Sequence, residues 1–303
     1  MKILITGATG NLGRRIADEL QSDHELLLTG SSMPDQATVF DAEASGGRRM
    51  VPLRTGWPYL RADIRQTDEI AEFARDAEVV IHLAASVSGD WAQVRHTLNA
   101  NILGTASILE VVRRTSARRF INASSINAFG TFFYRVSSTS PVFRSLPLDE
   151  REESIPEDPY SLTKYLSEEV GKSYWRAFGV EVVNLRLAGV WPESRYERVL
   201  DGGLDQTVAF PADLGQWVHI DDVAAAFSLS VTAPEVSPEP MAIGAEDTKL
   251  PEPTMDLIRR YRPELVPYIV APMPGRSAML SIARARTNLG YSPRFRLDDA
   301  VRS

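Results

Sequence analysis

The chain has 303 residues, 44% of them apolar, and a formal net charge of −7. That is enough apolar material for a large buried core, and the acidic balance argues against a nucleic-acid or anionic-membrane partner. The absence of cysteine excludes disulfides, thiolate nucleophiles and cysteine metal sites, and the four histidines (His24, His82, His96, His219) show no metal-ligand spacing, so no metal is expected.

In chain order, Lys2-Ile3-Leu4-Ile5-Thr6 reads as a buried strand, and Leu12, Ile16 and Leu20 as the apolar side of a helix. Between them runs Gly7-Ala8-Thr9-Gly10-Asn11-Leu12-Gly13. Glycines in a tight strand-to-helix turn let backbone N–H groups approach a pyrophosphate at the helix N-terminus, and the last lets helix and strand pack closely. A strand starting at residue 2 leaves no room for a targeting peptide, and no apolar run reaches the ~20 residues of a membrane span. A cytoplasmic protein is therefore expected.

A second strand, Glu25 to Thr29, leads into Gly30-Ser31-Ser32. Dinucleotide enzymes often carry an acid here, which binds the adenosine ribose of NAD and repels the 2′-phosphate of NADP. Its absence tips the expectation slightly toward NADP, with Arg14, Arg48 or Arg49 as phosphate partner, unless Asp35 folds back. Residues 33–59 read as irregular. Leu60 to Ile64 reads as a short strand ending in Asp63, which as easily serves as the acid preceding a helix at Thr67.

Glu78 to Leu83 is a fourth strand, followed by Ala84, Ala85, Ser86, Val87 and Ser88. His82 is expected to be a packed histidine. A long helix is predicted from Trp91 to Thr115; Gly104 inside it costs about 1 kcal/mol and implies close packing. Arg119 to Ala123 is a fifth strand, leading into Ser124-Ser125-Ile126-Asn127. Residues 131–157 form a long polar connection carrying Phe132, Phe133, Tyr134, Arg135, Phe143 and Arg144, too aromatic for a disordered linker. It is expected to be a lid or substrate wall, or else a dimer contact. Asp158 as cap, Pro159 at the first turn and Gly179 at the exit delimit the next helix. Val180 to Leu187 and Met241 to Ile243 complete the strands. Asp221 or Asp222 suits a helix cap or a packing contact.

Tyr160-Ser161-Leu162-Thr163-Lys164 carries the chemistry. A spacing of four puts Tyr160 and Lys164 on one helix face. Moving a phenol from its ordinary pKa near 10 to about 7 needs about 4 kcal/mol of preferential phenolate stabilisation, which a neighbouring ammonium and an oxidised nicotinamide can supply together. Tyr160 would then exchange a proton with a substrate oxygen as hydride moves, Lys164 would also hold the nicotinamide ribose, and Ser125 would hydrogen-bond the same oxygen.

Thr6 to Gly13, His82-Leu83-Ala84-Ala85, Asn101 in Asn99 to Thr105, Ser125, Tyr160-x-x-x-Lys164, Leu185-Arg186-x-x-x-Val190-x-Pro192 and Val218-His219-Ile220-x-Asp222-Val223-Ala224 occur in one order. Their order and spacing resemble the extended short-chain dehydrogenase/reductases, the epimerase/dehydratase group. The resemblance implies an α/β fold: a Rossmann-type, doubly wound parallel sheet over 1–187, rejoined by 217–244, with a small substrate lobe at 188–216 and 245–303. It implies NAD or NADP held by Gly7, Thr9, Gly10, Asn11, Leu12, Gly13, Ser31, Asp63, Ile64, Leu83, Ala84, Ala85, Asn101, Tyr160 and Lys164. Ser125, Tyr160 and Lys164 would be catalytic; Ser86, Ser88, Ser125 and Asn127 would face substrate; Arg195 or Arg198 would clamp an anionic group. A homodimer and a small-molecule substrate follow from the same resemblance.

The activity so implied is NAD(P)-dependent oxidation or reduction of a sugar-like alcohol or carbonyl, with epimerisation as an alternative. A catalytically silent nucleotide-binding sensor or scaffold is the alternative of another class, and the intact Ser-Tyr-Lys set argues against it. The short segment from Glu193 to Gln216 is closest to uronate-dehydrogenase-like members, although Ile126 stands where those carry asparagine. Ile126-Asn127 also replaces the Asp-Glu pair usual in the 4,6-dehydratases, so dehydration is not expected.

Overall fold

Every run expected to be a strand lies in one sheet. The computed structural model describes residues 1–40, 47–131, 135–137, 141, 143–204 and 206–297. In chain order the elements are β1 (Lys2–Thr6), α1 (Asn11–Leu20), β2 (Glu25–Gly30), β3 (Thr38–Phe40), β4 (Arg48–Met50), β5 (Tyr59–Arg61), α2 (Thr67–Phe73) and β6 (Val79–His82). Then follow α3 (Val94–Leu98), α4 (Gly104–Arg114), β7 (Arg119–Ser125), α5 (Pro159–Phe178), β8 (Glu181–Leu187), β9 (Val190–Trp191) and α6 (Glu193–Gly202). The chain continues through β10 (Val218–His219), α7 (Ile220–Thr232), β11 (Met241–Ile243), α8 (Thr254–Tyr261) and α9 (Ala283–Leu289).

The main sheet has seven strands in the order β5-β2-β1-β6-β7-β8-β11, all paired parallel. Strand order reverses between β1 and β6, which opens a crevice beyond their carboxyl ends. Alternation along β1 explains the layers. Ile3 and Ile5 join a core with Ile16 and Leu20 of α1 and Val223 and Phe227 of α7. Leu4, on the opposite face, joins Ile70 of α2 and Ile108 and Val112 of α4. Each such side chain, fully buried, contributes about 1.5–3 kcal/mol. The first core runs on without a break through Leu214, Met279, Leu280, Leu289 and Tyr291. The expected C-terminal lobe therefore shares its core with the sheet.

Three segments depart from the expectation. Residues 33–59 include an antiparallel hairpin, β3 against β4, with Val39 opposite Arg49. The strand before Asp63 ends at Arg61, and Asp63 turns back on itself: its Oδ1 accepts from the backbone N–H of Arg65 at 2.9 Å. The helix at Trp91 to Thr115 is interrupted by a π-helical turn over Asn99–Leu103. The Asp158, Pro159 and Gly179 signals hold: Asp158 Oδ1 accepts from Ser161 N at 2.9 Å, and Gly179 is left-handed at φ 70°.

Of the aromatic connection, Phe132, Phe133 and Tyr134 lie outside the described residues. Phe143 is buried in the main core, and Leu146 and Leu148 bridge to Ile269 and Leu280. This part of the connection fastens the C-terminal segment to the body. Among the described residues, no helix is long and apolar enough to cross a membrane.

Candidate active site

Two adjoining cavities follow the carboxyl ends of the sheet. The larger, about 690 Å³, is lined by Gly7, Thr9, Gly10, Gly30, Ser31, Arg48, Asp63, Ile64, Arg65, the stretch Leu83 to Ser88, and His96 and Asn99. The smaller, about 330 Å³, is lined by Leu12, Ser125, Asn127, Tyr160, Lys164 and Gly189 among others. They meet along one wall, since Leu83, Ala85 and Val87 line both.

The glycine turn fits a dinucleotide pyrophosphate. Gly7 has φ +69°, and a Cβ there would lie 2.8 Å from Ala84 N; a Cβ on Gly13 would lie 2.5 Å from the Gly7 carbonyl oxygen. The turn and the β6 loop thus touch backbone to backbone, leaving no place for side chains. Helix α1 starts at Gly10 with no side-chain cap and no acid in its first turn. Its first N–H groups and the positive end of its dipole are therefore available to an anion.

A chain of directed hydrogen bonds holds the β6 loop. Thr105 Oγ1 donates to the Asn101 carbonyl at 2.6 Å, so it accepts from His82 Nε2–H at 3.2 Å. His82 Nδ1 then accepts from Thr6 Oγ1 at 2.8 Å, and Thr6 Oγ1 accepts the N–H groups of Leu83 and Ala84 at 3.2 and 3.3 Å. Burial pushes His82 down to about 3, so it stays neutral and keeps this tautomer. His82 is the packed residue expected, and it also orients the crevice wall.

Asn101 sits in the π-helical turn, where one extra residue per turn re-aims a side chain. Its Oδ1 accepts from Ser86 N at 2.7 Å, and its Nδ2 donates to the Ser86 carbonyl at 2.9 Å and to Thr163 Oγ1 at 2.8 Å. Thr163 in turn donates to the Tyr160 carbonyl at 2.8 Å. Asn101 therefore braces the β6 loop against α5 and does not itself line either cavity. Gly104 is tight for the reason expected, since a Cβ there would meet Ile64 Cδ1 at 2.3 Å.

In the smaller cavity, Lys164 Nζ donates to the Ala123 carbonyl at 2.6 Å and lies 5.6 Å from the centroid of the Tyr160 ring. Burial lowers Lys164 to about 8, against the opposing charge of Glu168. Ser125 ends β7 and caps the following 3₁₀ turn, its Oγ accepting from Asn127 N at 3.1 Å. Ser125, Asn127, Tyr160 and Lys164 thus come together around one space.

Other expected site residues lie elsewhere. Ser86 and Ser88 line the larger cavity only, whereas Leu83, Ala85 and Val87, which alternate with them along the loop, line both. Arg195 and Arg198 lie on α6, outside the lining of both cavities, and the Arg195 guanidinium stacks 4.3 Å over the Trp191 ring. Asp63 lines the larger cavity, but its carboxylate takes two bonds from the Arg65 guanidinium, which hold it at about 2. Asp221 pairs with Arg15 at 2.5 Å and Asp222 accepts from Arg294 N at 2.9 Å, so both are packing contacts. The α7 cap is His219.

Two features escaped the sequence reading. Glu168 and Arg186 form a buried bidentate pair at 2.9 and 2.8 Å. Ser124 Oγ donates to the same carboxylate at 2.5 Å, and the Arg186 guanidinium lies 4.3 Å over the Phe129 ring. The pair so grips both sides of the Ser125 turn. Its signal was present: Tyr160, Lys164 and Glu168 recur every fourth residue. Glu193, His219 and Asp221 also converge, with donor atoms within 4.8 Å of one another. Their distance in sequence hid this, and Arg15 already occupies the Asp221 carboxylate.

Comparison with known proteins agrees with this architecture. The sequence pattern of the NAD dependent epimerase/dehydratase family matches residues 3–244. A putative UDP-glucose 4-epimerase from Methanocaldococcus jannaschii is 31% identical over 202 residues, which are 63% of this chain and 56% of that protein. The matched part is thus little more than half of that relative's length. A uronate dehydrogenase from Pseudomonas syringae pv. tomato is 24% identical over 249 residues, 82% of this chain and 75% of the relative. The crystal structure of a UDP-glucuronic acid 4-epimerase from Bacillus cereus in complex with NAD superposes with a TM-score of 0.66 at 21% identity, covering 99% of this chain and 94% of that one.

Proposed function

Because the chain belongs to the NAD dependent epimerase/dehydratase family, we propose that it is an NAD(P)-dependent oxidoreductase acting on a CH–OH or carbonyl group of a small sugar-like molecule. The observation that carries this reading is the gathering of Ser125, Tyr160 and Lys164 around one cavity that adjoins the glycine turn. The nicotinamide, when bound, supplies the acceptor or donor of hydride. Gly7, Gly10 and the uncapped start of α1 hold the pyrophosphate, and Ser31 faces the adenosine end. In the oxidative direction Tyr160 takes the proton of the substrate hydroxyl, with Lys164 stabilising the phenolate and Ser125 donating to the reacting oxygen.

Epimerisation is the second reading, favoured by the relatives named as epimerases. It uses the same groups, with hydride returned to the opposite face. Dehydration has less support, since Ile126-Asn127 offers no acid-base pair beside Ser125.

The test is a panel of free uronates, aldoses and UDP-sugars with each dinucleotide. Net change in reduced-nicotinamide absorbance identifies the oxidoreductase; product isomerisation without net change identifies the epimerase. Tyr160→Phe should lower kcat by about 10²–10⁴-fold while leaving dinucleotide affinity within about twofold, because only the proton-transfer group is removed. A variant with the parent's rate would overturn the assignment of Tyr160.

A further inference from the structure

The adenosine end of the larger cavity is built unlike an NAD site. No carboxylate follows β2, and Asp35 sits exposed in a short 3₁₀ turn, outside the cavity lining. The position itself is crowded: a Cβ on Gly30 would lie 2.8 Å from Tyr59 Oη and 3.2 Å from Thr9 Oγ1, so a larger residue there would have to displace these side chains. Asp63 lines the cavity, but Arg65 neutralises it through bonds of 2.9 and 2.5 Å. Among the described residues, no unpaired carboxylate lines this end of the cavity.

The hairpin supplies positive charge instead. Arg14 cannot, because its guanidinium is spent on backbone carbonyls: Nε donates to Thr9 at 2.9 Å, and the two terminal nitrogens to Pro52 at 3.0 Å and to Val51. These bonds clamp the chain leaving β4 against the glycine turn. The hairpin is so docked that Arg48 reaches the cavity beside Gly30 and Ser31. Arg48 Nε donates to Thr38 Oγ1 at 2.9 Å, and a terminal nitrogen to the Thr38 carbonyl at 3.3 Å. Its stem is thereby steadied, and among the described residues no carboxylate pairs with it. Arg49, the next residue of the strand, points the other way by alternation and is absent from the lining.

We propose that Arg48 is the ligand for the 2′-phosphate of NADP(H), presented by a hairpin docked through Arg14, and that the enzyme prefers NADP(H). The inference rests on the dinucleotide reading above. A planar guanidinium with free N–H groups suits a phosphate better than a ribose hydroxyl.

Binding tests it without any substrate. The full chain and its Arg48→Ala and Arg49→Ala variants are titrated with NADPH, NADH, 2′,5′-ADP and 5′-AMP by calorimetry. The parent should bind NADPH at least tenfold more tightly than NADH, and 2′,5′-ADP more tightly than 5′-AMP. Arg48→Ala should weaken NADPH and 2′,5′-ADP by about tenfold or more, with NADH within about twofold; Arg49→Ala should leave both preferences in place. Equal losses for NADPH and NADH, equal effects of the two variants, or a parent preferring NADH would each overturn the proposal while leaving a dinucleotide site intact. A parent that binds neither dinucleotide would overturn it together with the functional reading.

Discussion

In the proposed mechanism, Lys164 sets function against stability. Its ammonium is buried and donates to the Ala123 carbonyl, and burial lowers its pKa from 10.5 to about 8. The folded protein therefore releases this proton more readily than the unfolded chain does. Below about pH 8 the folded state carries the full cost of a buried cation; the cost fades as pH rises and is gone near the unfolded value. At 1.36 kcal/mol for each tenfold change in proton affinity, the drop amounts to about 3 kcal/mol. Lys164→Met removes that cost and loses one hydrogen bond of about 1 kcal/mol. The variant should be inactive yet more stable than the parent by about 1–3 kcal/mol at pH 7, with the gap closing near pH 10. Thermal unfolding at the two pH values checks this; a variant less stable at pH 7 would show that the ammonium is better compensated than its contacts indicate.

At the scale of elements, α5 is anchored through its third turn. Tyr160 and Lys164 face the cavity, and Glu168, one turn on, meets Arg186 of β8 and Ser124 of β7. Glu168→Gln would leave the Arg186 guanidinium buried and unpaired, a loss of about 3–5 kcal/mol. Replacing both by methionine removes the unpaired charge, so the double variant should be more stable than Glu168→Gln alone. Urea denaturation midpoints decide: a single variant within about 1 kcal/mol of the parent would mean the pair does not hold α5 to the sheet.

Much of this was legible beforehand. Strands β1, β6 and β8 are rich in β-branched or aliphatic residues and buried along most of their length, and buried parallel strands are written that way. Asp158, Pro159 and Gly179 act through local backbone chemistry, so they mark α5 without tertiary information. The π-helical turn at Asn99–Leu103 was not legible, because its wider hydrogen-bond spacing leaves no mark in residue periodicity. The hairpin was missed because Arg48, Arg49 and Met50 are exposed, so no buried face imposes alternation. That Ser86 and Ser88 line the larger cavity and not the one beside Tyr160 was not legible, because loop alternation depends on where β6 ends.

At the scale of the whole molecule, the question is what size of substrate the fold admits. Here α6 spends its inner side on the molecule's own structure: Tyr196, Val199 and Leu200 pack on Trp191, Trp217 and Leu297. Tyr196 Oη donates to the Arg296 carbonyl at 2.9 Å, and Asp222 accepts from Arg294 and Phe295 N–H groups at 2.9 and 3.2 Å. The C-terminal segment thereby closes over this helix. Among the described residues, the segment from Glu193 to Gln216 contributes none to the lining of the Tyr160 cavity, whose volume is about 330 Å³. That lies at the lower end of pockets for small ligands, about 300–1,000 Å³. A nucleotide would need a further wall for its base and cations for its diphosphate, and Arg195 is stacked on Trp191 instead. The arrangement therefore favours a free sugar or sugar acid over a nucleotide sugar. Calorimetry on the dinucleotide-loaded protein separates the two. UDP should give no saturable heat up to about 1 mM, weaker than about −4 kcal/mol of binding, whereas a turned-over free sugar should bind without competition from UDP. UDP binding in the micromolar range that displaces substrate would mean that α6 moves to form a nucleotide pocket, and the argument from size would fail.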